Sequence, residues 1–258
     1  MRILRQVSLG LVAIMLIAGT YLGRARSTSW QEPLWVTVYP ITADSTPATM
    51  DYVARLERDD FLPIGRFLEA EAKRYGVAVD PPFRMDIGVP VESLPPAPPE
   101  SGNPLSVAAW SLQLRWWAWR ALADQPDPEP DIRMFVIYHD PDRLTALPHS
   151  LGLREGMLGV SHVFASGQMR GSNQVVIAHE LLHTLGATDK YDPATNLPRF
   201  PDGFAEPERS PRFPQHFAEI MGGRIPITVE TAEIPSGLNL LRVGETTARE
   251  INWSDPDR

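Results

Sequence analysis

The chain contains no cysteine, which excludes disulfide staples, a thiol nucleophile and any Cys-ligated metal. A metal ion could be held only by His, Asp or Glu. Positive charge is also in deficit: 24 Lys and Arg stand against 32 Asp and Glu, a formal net charge of −8. With no basic stripe in the sequence, a nucleic-acid partner is excluded from the expectation. Internal repeats are lacking too. Disorder is not the reason, because 43% of the residues are hydrophobic and 22% charged, the balance of an ordinary globular chain. What is abundant is proline, 26 of 258 residues, which predicts long irregular connections between modest helices and strands. The length suits one domain, or one with a small appendage.

Arg2 and Arg5 precede a run without charge from Gln6 to Gly23, whose apolar heart, Val7 to Leu22, would span roughly 24 Å as a helix. Basic flanks and a uniformly apolar surface suit a membrane better than a buried core helix. Residues 1–26 therefore read as a single-pass signal anchor at the cell membrane, the alternative being a signal peptide cleaved on secretion. Either reading exports the domain at 27–258.

Beyond that segment, Trp35 to Ile41 is rich in β-formers and predicts a strand. Thr46-Pro47 supplies an N-cap and a first-turn proline, and the apolar spacing of Val53, Leu56, Ile64, Phe67, Leu68 and Tyr75 predicts a helix kinked or split at Pro63. Phe83 to Val91 and Asp131 to His139 read as strands. Gly159 to Ser166 reads as a short edge strand, and the proline-rich Leu94 to Pro104 as a loop. Ser106 to Asp124 predicts a helix with four of the seven tryptophans, Trp110, Trp116, Trp117 and Trp119. It is either a core helix or an interfacial aromatic belt against a bilayer. Among the remaining histidines, His139 reads as structural, and His162 as an exposed strand residue or a substrate contact. The order predicts an α+β fold with a small mixed sheet.

Chemistry concentrates between Ser172 and Asp192. His179-Glu180-Leu181-Leu182-His183 is an HExxH motif. Four residues of helix turn through about 400°, so both histidines share one face a turn apart and can hold one zinc ion. Glu180 flanks that face, placed to work on a water rather than on the metal. A catalytic zinc needs a third ligand. Gly186 permits a sharp turn, after which Asp189 could swing back as an oxygen ligand, with Glu219, Glu206 and Glu208 as the alternatives. HExxH alone should arise roughly 0.008 times per chain of this composition, and the added Gly and Asp bring that to a few in 100,000.

The extended pattern His179-Glu180-x-x-His183-x-x-Gly186-x-x-Asp189 resembles the metzincin clan of zinc metallopeptidases, in the branch with aspartate as third ligand. The run Asp189-Lys190-Tyr191-Asp192 is similar to the signature of immune-inhibitor-A-like peptidases, and Glu219-Ile220-Met221-Gly222-Gly223 resembles the methionine turn of the clan, with Met221 as the floor of the site. The resemblance covers about 159–223. It implies a zincin-like domain with an active-site helix, and a zinc-dependent endopeptidase in which Glu180 is general base to a water activated by one Zn²⁺. Its substrate is then a peptide or protein, held as an added strand on the 159–166 edge. No tyrosine stands two residues after Met221, so the oxyanion stabiliser falls to Tyr191 or His216. Asp189 and Asp192 are also oxygen donors of the kind that hold Ca²⁺. A reading from another class keeps the scaffold without catalysis, as a membrane-tethered binding protein; a third is a zinc hydrolase of a non-peptide amide.

Overall fold

The computed structural model describes residues 28–99, 103–123, 125, 129–154 and 157–254. The segment 1–26, expected to be an anchor, lies outside them; among the described residues no helix is long and apolar enough to cross a membrane.

The architecture is mixed α+β around a five-stranded sheet of order β2-β1-β3-β5-β4. β1 (Leu34–Thr42), β2 (Phe83–Ile87), β3 (Ile132–His139) and β5 (Leu158–Phe164) run parallel, and β4 (Leu151–Leu153) closes one edge antiparallel. Alternation along the strands sorts side chains between two apolar layers. Val36, Val38, Met134, Val136 and Val163 face one layer, covered by α1 (Pro47–Ala54), α2 (Leu62–Arg74) and α4 (Arg170–Leu185). Tyr39, Ile41, Phe135, Ile137 and Val160 face the other, covered by Trp110, Leu114 and Ala118 of α3 (Pro104–Ala121).

Local signals explain most boundaries. The Thr46 hydroxyl accepts from Thr49 N at 3.3 Å, and Pro47 occupies the first turn of α1. Pro63 splits the helical stretch: a 3-10 turn at Arg58–Asp60 intervenes, and Pro63 sits in the first turn of α2, where its missing N–H does no harm. α3 begins two residues earlier than the periodicity predicts, because the Asn103 side chain accepts from Leu105 N and Pro104 is helical rather than loop. β2 ends at Ile87, short of Val91. One expectation is overturned: 159–166 is not an edge. β5 pairs with β3 on one side and β4 on the other, and the edge belongs to β4, a three-residue strand too short to announce itself by alternation.

C-terminal to α4 the chain is irregular, with two-residue ladders β6 (Ala218–Glu219) with β9 (Leu241–Arg242), and β7 (Ile225–Pro226) with β8 (Ala232–Glu233). Its last described helix is α5 (Glu245–Glu250). The Glu71 carboxylate of α2 accepts from Val243 N at 2.8 Å and fastens this region to the rest, while within it Lys190 Nζ donates to Glu250 at 2.7 Å and to Thr188 O.

Candidate metal centre

α4 is anchored at both ends. Near its start, the Asn173 amide accepts from Phe164 N and donates to Phe164 O, so a side chain pairs with the end of β5 as a strand would. At its end Gly186 takes φ 105°, a left-handed conformation that favours glycine, while Gly186 N and Ala187 N return to His183 O and Leu182 O. Between these points Ile177, Ala178, Leu181, Leu182 and Leu185 are buried, leaving His179 and His183 on the partly open face.

The turn at Gly186 brings Asp189 back over the two imidazoles. Asp189 Oδ1 lies 3.1 Å from His179 Nε2 and 3.1 Å from His183 Nε2, and the two Nε2 atoms are themselves 3.1 Å apart. Three donor atoms thus form a near-equilateral triangle. A tetrahedral zinc with bonds of about 2.0–2.1 Å requires donors separated by about 3.3 Å, so the set fits the ion. The opposite ring nitrogens are already committed: His179 Nδ1–H donates to Ile220 O and His183 Nδ1–H to Ala187 O, each at 2.8 Å. With Nδ1–H so placed, the neutral form of each imidazole carries its lone pair on Nε2.

Glu180 is buried with a carboxylate oxygen within 4.8 Å of the histidine nitrogens, and its Oε2 has no hydrogen-bond partner. A buried carboxylate oxygen without a donor is the feature expected of a group that receives a proton from a bound water. Burial raises the Glu180 pKa above its ordinary value, with the histidines opposing. Burial also works against the charged form of His179. The hydrogen bond to Asp189 and the charge of Glu180 outweigh it and hold His179 at about 9. Asp189 moves the other way: burial would raise it, but bonds to both imidazoles hold its carboxyl well below the usual carboxylate range.

The alternative third ligands are engaged elsewhere or exposed. Glu219 is fully buried and saturated: its carboxylate accepts from Met221 N, Gly222 N, Gly244 N and Thr247 Oγ1 at 2.7–3.0 Å. Glu206 accepts from His216 N and faces His216 Nδ1, and Glu208 is exposed. Tyr191 belongs to the site, its ring centroid 6.4 Å from that of His179; burial and the Asp189 and Glu180 carboxylates push its pKa up to about 12. His216 does not. It is more than half exposed, and its Nδ1 is engaged by Glu206 and Arg209. Calcium binding by Asp189 with Asp192 is likewise not supported, since Asp192 Oδ1 caps Ala194 N and Thr195 N instead.

The turn at 219–223 forms, closed by Gly222 N and Gly223 N to Glu219 O, and buries Met221 in the main core. Its Ile220 carbonyl is the acceptor that orients His179. Lys190 N donates to Met221 O at 2.8 Å, tying the chain after Asp189 to the same turn.

Two residues of this site escape sequence reasoning. Gly152 of β4 lies so close to α4 that a Cβ there would meet His183 Cβ at 2.4 Å and Glu180 O at 2.5 Å. Only the Leu-Gly-Leu spacing of 151–153 hinted at a strand with a close approach. The clamp role of Glu219 leaves no local mark. His162, expected on an exposed edge, is instead partly buried, its Nδ1 2.8 Å from His139 Nε2.

No family model and no curated protein matches the chain. Among solved structures, one described as the structure of a chaperone-substrate complex is similar at 14% identity and a TM-score of 0.39, over 85% of this chain and 33% of that one. The chain therefore spans about a third of that protein's length, and a likeness this loose carries no argument about fold or activity.

Proposed function

We propose that the protein is a zinc-dependent endopeptidase of metzincin-like type, tethered outside the cytoplasm by its N-terminal segment. The observation that carries the reading is the triangle of His179 Nε2, His183 Nε2 and Asp189 Oδ1, with the unpartnered oxygen of Glu180 beside it. Bound there, zinc would act as a Lewis acid towards a carbonyl oxygen and lower the pKa of water. The chain supplies the rest. Glu180 accepts the proton of the attacking water, and its raised pKa suits it to hand that proton on to the leaving amine. Tyr191, still protonated at neutral pH, offers its hydroxyl as a donor towards developing oxyanion charge. The outer edge of β4, whose Gly152 rests directly on Glu180 and His183, is where an extended peptide would pair.

Elemental analysis of the full chain should give about one zinc per molecule, and Asp189→Ala should lose it. Glu180→Ala should keep the metal while turnover of a peptide library falls by about 10²–10⁴. Loss of zinc from Glu180→Ala would make that residue a ligand. Full zinc with no turnover of any substrate would favour the non-catalytic binding scaffold.

A further inference from the structure

The outward face of α3 carries a second property, unconnected with the metal centre. Its inner residues Trp110, Leu114 and Ala118 are buried against the sheet. On the opposite side Leu105, Leu112, Trp116 and Trp119 are 79%, 51%, 58% and 72% exposed. At about 100° per residue these four fall within about 60° of arc, a continuous apolar stripe along the helix. Arg115 flanks it on one side and Arg120 on the other, Arg120 lying 5.8 Å over the Trp116 ring. The helix contains no acidic residue, in a chain whose net charge is −8. Arg115 also borders a cavity of about 500 Å³ with Tyr39, Trp119 and Arg133, and its Nε is buried without an acceptor.

We infer that this face docks onto the surface of a phospholipid bilayer, with leucine and tryptophan side chains at the acyl boundary and the arginines on headgroup phosphates. Charge selects lipid as the occupant: a cationic, acid-free helix on an acidic protein complements an anionic surface, and tryptophan with arginine is the pairing favoured at the interface. α4 lies on the opposite face of the sheet, so docking through α3 leaves the metal centre turned away from lipid. The inference does not draw on the peptidase reading.

Because the chain lacks cysteine, Leu112→Cys gives a single site for a nitroxide label, with Met50→Cys on α1 as the control on the other face. The full chain is reconstituted with vesicles of phosphatidylcholine and phosphatidylglycerol. The label at 112 should collide more readily with oxygen than with a water-soluble nickel complex, and the label at 50 the reverse; adding Arg115→Gln and Arg120→Gln should restore nickel access at 112. Flotation with the vesicles while 112 stays as open to nickel as 50 would overturn the docking and leave the anchor standing. Failure to float would overturn both. Spin–spin broadening between labels at 112 would assign the face to a second copy of the chain and overturn the lipid assignment.

Discussion

At the scale of single residues, the candidate metal centre is decided by which ring nitrogen is left free. Carbonyls of Ile220 and Ala187 take the Nδ1 protons, so both Nε2 lone pairs converge on the point that Asp189 also faces. A second pair of histidines shows the contrast. His139 and His162 bond only to each other across the sheet, with Asp44 as the charge near His139. Burial, then the neighbouring His139, lowers His162 from 6.5 to about 4, so it is neutral in the folded protein and protonates readily only when unfolded. The folded form binds fewer protons; its stability is full above about pH 6.5 and declines as pH falls towards 4. Urea unfolding at pH 7 and 4.5 should show a loss that His162→Gln reduces by on the order of 1 kcal/mol, since the ring is partly solvent-screened.

Among elements, the turn at 219–223 is held from behind by a carboxylate. Glu219 gathers donors from its own turn and from Gly244 and Thr247 at the start of α5, so a C-terminal helix fixes the carbonyl that orients His179. Removing it strands several buried N–H groups. Glu219→Ala should destabilise the fold by about 3 kcal/mol in chemical denaturation and weaken zinc affinity, although Glu219 touches no ligand. The contact of β4 with α4 is as tight. Gly152→Ala forces its new methyl into backbone and Cβ atoms that cannot rotate away, an overpacking of about 1–3 kcal/mol. Its measured signature would be a lower melting temperature together with lost turnover, whereas Glu180→Ala should lose turnover alone.

For the whole molecule, the candidate metal centre joins parts far apart in the chain: α4, the loop after Gly186, the 219–223 turn and, through Lys190 and Glu250, α5. An ion bound only by the folded form stabilises all of them together. Zinc at about 100 times its dissociation constant should add about 2.7 kcal/mol, a rise of roughly 5–10 °C in melting temperature by calorimetry. Asp189→Ala should abolish that rise, and a chelator should reverse it in the parent chain.

By itself the sequence determined what periodicity and local chemistry can encode. The histidine pair at i and i+4, the glycine stop at 186, the Thr46-Pro47 start and the strands read at 35–41, 83–91 and 131–139, the second of which ends at Ile87, each depend on neighbours a few residues away. The return of Asp189 could be named as one option because a six-residue reach after a turn is short. Tertiary structure decided everything that requires a distant partner. Glu219 and Glu206 stood behind Asp189 as alternative ligands, and His216 level with Tyr191 as oxyanion donor, until the fold gave Glu219 partners at 244–247 and paired Glu206 with His216 and His216 with Arg209. Strand order likewise lies outside local pattern: alternation shows which residues face a core, but not that a three-residue strand at 151–153 would take the edge from 158–164. The physical reason is common to both. A side chain's role follows from which donors and surfaces reach it first, and that competition is settled only when segments remote in sequence are packed together.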